Sequence, residues 1–162
     1  MKPVTKEKAL ERMTSLCSRS EQCESDINRK LINWGLGAAD RQEIITYLKE
    51  NRFVDDARFA RSYANDKSRF SHWGPYKIKI ELVNRRIKAS VISAALKAVP
   101  QQVWKDSLLK VALNKAKTLD LTGEDSFNES HKLFRYIVSR GFPSAVASKA
   151  VKIMKRRQEG EK

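Results

Sequence analysis

Apolar residues return every three or four positions along almost the whole chain, the spacing that gives an α-helix one buried stripe. Leu10, Met13, Leu16 and Cys17 form the first such set, and Cys23, Ile27, Leu31 and Trp34 the second. Ser20, ahead of Glu21 and Glu24, is placed to cap the second helix, and Gly35 and Gly37 to stop it. Asp40-Arg41-Gln42-Glu43 has the form of a capping box opening a third helix on Ile44, Ile45 and Leu48, which ends at Asn51-Arg52. Asp55-Asp56 then opens a fourth, carried by Phe59, Ala60, Tyr63 and Ala64. Trp73-Gly74-Pro75 is a break, and Pro75 suits the first turn of a new helix because its missing N–H costs nothing there. Residues 77–82 alternate as Lys-Ile-Lys-Ile-Glu-Leu, which fits a strand, yet Ile78, Leu82 and Val83 share a helical face with Ile87 one turn on. Helix is the better reading, since a lone strand among helices would have no pairing partner.

A sixth helix is expected from about Ser90 on Ile92, Ala95, Leu96 and Val99, closed by Pro100. Val103, Trp104, Leu108, Val111 and Leu113 mark the seventh, ending before Thr122-Gly123. Ser126-Phe127-Asn128-Glu129 is another capping-box candidate, leading to Leu133, Phe134, Ile137 and Val138. Gly141-Phe142-Pro143 then breaks into a last helix on Val146, Ala150, Val151 and Met154. Taken in threes, the nine helices suggest a degenerate repeat of about fifty residues. Its best internal match is a junction: Leu31 to Leu36, Leu82 to Ile87 and Ile137 to Phe142 each run from an apolar pair through a turn to another apolar residue. A three-helix unit this small buries too little area alone, so consecutive units must stack. The expected fold is all-α: three tandem three-helix repeats, about 6–53, 54–99 and 100–157, with a frayed polar tail at 158–162. They would form a single domain with one core, stacked as an elongated, curved right-handed-helix array.

Charge changes this picture more than hydropathy does. Thirty-three Lys and Arg against nineteen Asp and Glu leave a net +14, a field that draws phosphate polymers or acidic protein surfaces. The excess is uneven: residues 35–58 sum to −1, residues 59–99 to +7 and residues 124–162 to +4. Cys17 and Cys23 lack the spacing of a metal or redox pair and read as reduced core residues. Trp34 and Trp104 fall on apolar stripes and read as core. No apolar run approaches a membrane span and the N-terminal lysines precede no apolar stretch, so a cytoplasmic protein is expected. His72 and His131 are solitary, and no phosphate-cradling glycine loop, ligand cluster or nucleophile–base pair is legible. No enzyme activity, cofactor, metal or small-molecule substrate is expected.

The run Phe53-Val54-Asp55-Asp56-Ala57-Arg58-Phe59-Ala60 with Tyr63, then Trp73-Gly74-Pro75-Tyr76-Lys77-Ile78 and Glu81-Leu82, resembles the central signature of the RecX family. Arg19-Ser20-Glu21, Lys30-Leu31 and Gly35 resemble its first repeat, so the similarity covers most of residues 9–99. The chain departs from the family pattern at Arg86, where Gly is usual, and arginine there argues against a left-handed turn. The resemblance implies three tandem three-helix repeats, no catalytic residues, and a partner: the RecA recombinase filament on DNA, whose strand exchange, ATPase and co-protease activities such proteins restrain. Single-stranded DNA within that filament is an implied contact, with bare DNA a weaker one. The rival reading is a sequence-nonspecific DNA-binding protein that acts without recombinase.

Candidate partner- or DNA-binding residues are Arg69, Trp73, Tyr76, Lys77, Lys79, Arg85, Arg86 and Lys88. If residues 75–86 are helical, Lys77 and Lys88, eleven apart, fall near one face and the cations form an outward ridge. Trp73 and Tyr76, beside the Gly-Pro break, could stack on a base, anchor in a protein pocket or pack within the loop. Asp55, Asp56, Phe59, Ala60, Tyr63, Gly74, Pro75 and Leu82 read as the structural motif, the two aspartates serving a helix start rather than a metal or an acid–base pair.

Overall fold

In the computed structural model, which describes residues 4–161, the chain forms α1 (Lys6–Arg19), α2 (Glu24–Asn33), α3 (Ala38–Glu50), α4 (Asp56–Arg69), α5 (Pro75–Asn84), α6 (Ala89–Ala98), α7 (Gln101–Ala116), α8 (Ser126–Ser139) and α9 (Ser144–Gly160). No strand occurs among the described residues. Residues 1–3 and 162, on which the N-terminal reading and the last position of the expected tail fall, lie outside them. No helix among the described residues is long and apolar enough to cross a membrane.

The ambiguous stretch at 77–82 is helical, with Ile78 and Leu82 fully buried and Ile80 on the opposite side. Val83, expected on the buried face, is exposed, because position 83 has already rotated past the stripe set by 78 and 82. Pro75 is the first helical residue of α5, where no N–H is needed.

Helix starts differ from the local capping signals. Ser20 ends α1, its N–H donating to the Leu16 carbonyl, and α2 opens at Glu24 with buried Cys23 at the cap position. The free N–H of Glu24 is met instead by Asp56 Oδ1 at 2.9 Å, a carboxylate 32 positions along the chain. α3 is capped by Gly37, which places Asp40 inside its first turn, where the carboxylate still meets the positive helix end. α8 is preceded by Asp125, not Ser126. In each case the helix start is shifted by one to three residues from the polar signal in the sequence.

Three junctions share one geometry. Leu36, Ile87 and Phe142 donate their N–H groups to the carbonyls of Leu31, Leu82 and Ile137, five residues back. Gly35, Arg86 and Gly141 donate to Ile32, Val83 and Val138, each at 2.9 Å. This is the Schellman pattern that satisfies the last carbonyls of a helix. All three turn residues have positive φ, +83° at Gly35, +58° at Arg86 and +99° at Gly141, so the left-handed turn exists at Arg86 despite its side chain. The apolar residue after each turn is buried against the fully buried residue that accepts its bond, and this locks the register.

The chain divides into two compact units rather than closing on one core. One comprises the described residues up to Ser62 with 82–95, and it contains a buried cluster of Met13, Ile27, Leu31, Ile44 and Leu48 with Leu36, Ile45 and Val54. The other comprises 63–81 and residues from 96 onward, with Val111, Ala112, Leu121, Leu133, Ile137, Phe142, Ala147 and Met154 in its cluster. Trp34 and Trp104 are half-buried rather than core, and Cys17 is half-buried where Cys23 is fully enclosed. Burial pushes the Cys23 thiol up to about 12, which makes it a poor nucleophile.

The polar end is not frayed through Gly160, because α9 continues to that residue. Gln158 donates through Nε2 to the Ala116 and Leu119 carbonyls at 3.1 and 3.0 Å and accepts the Leu121 N–H at 2.9 Å. One amide thereby ties down the chain where α7 ends.

Candidate docking surface

Phe59 and Ala60 are the buried residues of the first turns of α4, with 9% and 0% exposure, while Asp55 Oδ1 accepts the Arg58 N–H at 3.0 Å and caps the same helix. Asp56 therefore serves α2 and Asp55 serves α4. Burial raises the Asp56 carboxyl above its ordinary range and the Glu24 carboxylate adds to this, against the Glu24 N–H and Lys49, which favour the ionised form. No group of three or more His, Cys, Asp or Glu side chains among the described residues is arranged to hold a metal ion.

In the second unit, the loop before α5 is fixed by close backbone contact. Gly74 N–H donates to the Arg140 carbonyl at 2.8 Å, Tyr76 N–H to the Gly141 carbonyl at 3.0 Å, and Arg140 Nη2 to the Ser71 carbonyl at 2.8 Å. Trp73 is half-buried, with Lys77 Nζ 4.5 Å and Lys67 Nζ 4.7 Å from the centre of its ring. Tyr63 meets the same ring edge-on at 6.5 Å. Two cations on one indole hold both ammonium groups by its quadrupole and orient the loop. Lys67 is a partner that the sequence reading missed, since nothing local ties position 67 to position 73.

The helical spacing from which a ridge was expected breaks off at the end of α5. α5 ends at Asn84 and the chain reverses at Arg86, so Lys88 is on no common helical face with Lys77. Arg69, Lys77 and Lys79 belong to one compact unit and Arg85, Arg86 and Lys88 to the other. Arg69 bonds Asn65 Oδ1 at 2.6 Å, and Arg85 Nε is 3.3 Å from Asp26 Oδ2 with both side chains largely covered. Arg86 and Lys88 are exposed and line a cleft of about 420 Å³ with Arg41, Asn28, Glu24 and Asp56, where carboxylates offset part of the positive charge. Lys79 is fully outward on α5.

Of the exposed residues near Lys79, Tyr76 was a candidate from the sequence, whereas Ile80 was not. Tyr76 is 56% and Ile80 59% exposed, one turn apart on the outer face of α5, and Phe70, in the turn that ends α4, is 76% exposed. The alternating Lys-Ile-Lys-Ile run supplies two apolar faces, one inward at Ile78 and one outward at Ile80. The signal available in the sequence was this surplus of apolar residues over what one stripe uses.

Arg86 carries the conformational cost of a left-handed backbone, at φ +58°. A left-handed residue with a Cβ costs about 1–2 kcal/mol, so Arg86→Gly is expected to stabilise the chain by about 1 kcal/mol. Thermal melting should show a rise of a few degrees, and a fall would mean that the arginine side chain contributes more than its backbone costs.

These observations define an all-helical protein built on three-helix units, with Tyr76, Lys79 and Ile80 exposed along α5. The family profile described as "RecX, second three-helix domain" matches residues 55–96. A regulatory protein RecX of Clostridium tetani is 32% identical over 76% of this chain and 56% of its own length, and one of Clostridium botulinum 28% over 83% and 62%. That of Yersinia enterocolitica is 29% identical, covering 82% of this chain and 89% of the relative. The chain thus spans less than two thirds of the clostridial relatives. A crystal structure of a regulatory protein RecX superposes with a TM-score of 0.76 at 26% identity, over 87% of this chain and 68% of that one. RecX from Lactobacillus salivarius has the same score at 18% identity, over 92% and 96%, which shows the shared fold. This chain belongs to the RecX family.

Proposed function

We propose that the protein is a non-enzymatic cytoplasmic regulator that docks on the RecA–DNA nucleoprotein filament and restrains its strand-exchange, ATPase and co-protease activities. Its three-helix repeats, about 6–53, 54–99 and 100–157, serve as the docking units; Tyr76, Lys79, Arg86 and Lys88 are the candidates exposed for a partner, while Arg69, Trp73, Lys77 and Arg85 make the intramolecular contacts that hold their surroundings. One observation carries the protein-docking reading over simple DNA binding: Tyr76 and Ile80 are exposed beside Lys79 on α5. Phosphate neutralisation has no use for an exposed isoleucine, whereas a protein partner can desolvate it and a neighbouring tyrosine together. Lys79 then supplies attraction toward acidic filament residues or the bound DNA. Occupancy of the filament is enough for inhibition, and no bond is made or broken.

The test is inhibition of recombinase ATPase on single-stranded DNA by Lys79→Glu/Ile80→Asp. Both side chains are exposed, so melting should change little. The half-inhibitory concentration should rise at least about tenfold, equal to about 1.4 kcal/mol; unaltered inhibition rejects the α5 assignment. Equal affinity for bare and recombinase-coated DNA would instead support the DNA-only alternative.

A further inference from the structure

A second surface lies on α1 and the end of α2, and none of the residues assigned above lines it. Lys8, Arg12, Ser15 and Arg19 follow one another at steps of four, three and four residues, which places them on one face of α1 over about 16 Å. Together with Lys30, Leu16, Glu11 and Trp34 they line a groove of about 510 Å³. Lys8 is paired with Glu11 at 3.4 Å. Among the described residues no ion pair joins Arg12, Arg19 or Lys30 to a carboxylate, so three cations face the groove without neutralisation. The Arg12 guanidinium carbon stands over the Trp34 ring, 5.6 Å from its centre and within cation–π range.

We infer that this groove is a single-stranded nucleic-acid subsite, in which phosphates run along Arg12, Arg19 and Lys30 and a base stacks at the Arg12–Trp34 pair. Cations spaced by a helical turn beside an aromatic plane are what a flexible strand with free bases needs. A duplex keeps its bases stacked and offers only its phosphates. A peptide anchor is disfavoured because no exposed large aliphatic side chain lines the groove. The inference does not depend on the filament reading, since it concerns bare strand and other helices.

The experiment uses the intact protein with an oligothymidylate carrying 5-iododeoxyuridine. Ultraviolet cross-linking followed by peptide mapping should place the adduct on Trp34. In parallel, the salt dependence of oligonucleotide affinity is compared with that of Arg12→Gln/Lys30→Gln. Loss of two phosphate contacts should lower the slope of log affinity against log salt by about 1.4, with at least a tenfold loss of affinity at low salt. The cross-link needs no substitution, so a folding defect in the double variant would not remove the test. An adduct absent from Trp34, an unaltered slope in the folded variant, or tighter binding to a duplex of the same length overturns the inference.

Discussion

Alanine in place of Gly74 should lower the melting temperature by about 10 °C. A Cβ at this position would lie inside contact distance of the carbonyl carbon and oxygen of Gly141 and the nitrogen of Phe142. All three are backbone atoms and cannot rotate aside. The loop before α5 must then lift off the α8–α9 turn, straining or breaking the hydrogen bonds from Gly74, Tyr76 and Arg140 that cross that seam. Overpacking against backbone costs about 3 kcal/mol, and about 2–4 °C is lost per kcal/mol for a chain of this size. A second consequence is functional: the Lys67–Trp73–Lys77 stack loses its anchor, and α5 its fixed start. An unchanged melting temperature would show that residues 74 and 141 do not approach in solution.

Phe59→Ala should cost about 3–5 kcal/mol, the range for deleting a buried ring and leaving the space unfilled. Phe59 is 9% exposed, and its neighbour Ala60 is completely enclosed, so α4 has no freedom to slide inward and close the gap. Phe59 lies in the first compact unit and Gly74 in the second, so the two substitutions perturb different parts of the chain. Urea titration at a fixed slope gives the measurement. A near-normal midpoint would mean that the ring is solvated.

The contrast between Gly74 and Arg86 bears on function. At Gly74 the fold leaves no alternative, because a neighbouring backbone occupies the place of any side chain. At Arg86 the backbone would prefer glycine and the fold accepts a charged residue at a conformational cost. Arg86 lines an open cleft with Lys88 and is exposed.

Helix existence, the junction repeat and the all-helical class were written in the sequence, because they rest on local rules: a 3.6-residue apolar period, prolines at first turns, and an apolar residue after each reversal. Faces and partners were decided only by tertiary packing. Residues 77–82 carried two apolar sets, and the core took Ile78 and Leu82 and left Ile80 in solvent. Asp56 caps a helix 32 positions earlier, Gln158 fastens the end of α7, and Asp26 occupies Arg85, because side chains distant in sequence became neighbours. A backbone N–H accepts whichever oxygen packing brings to it, and a cation pairs with whichever carboxylate lies near. The surviving exposed set on α5 is therefore a product of what the core consumed, which periodicity alone does not encode.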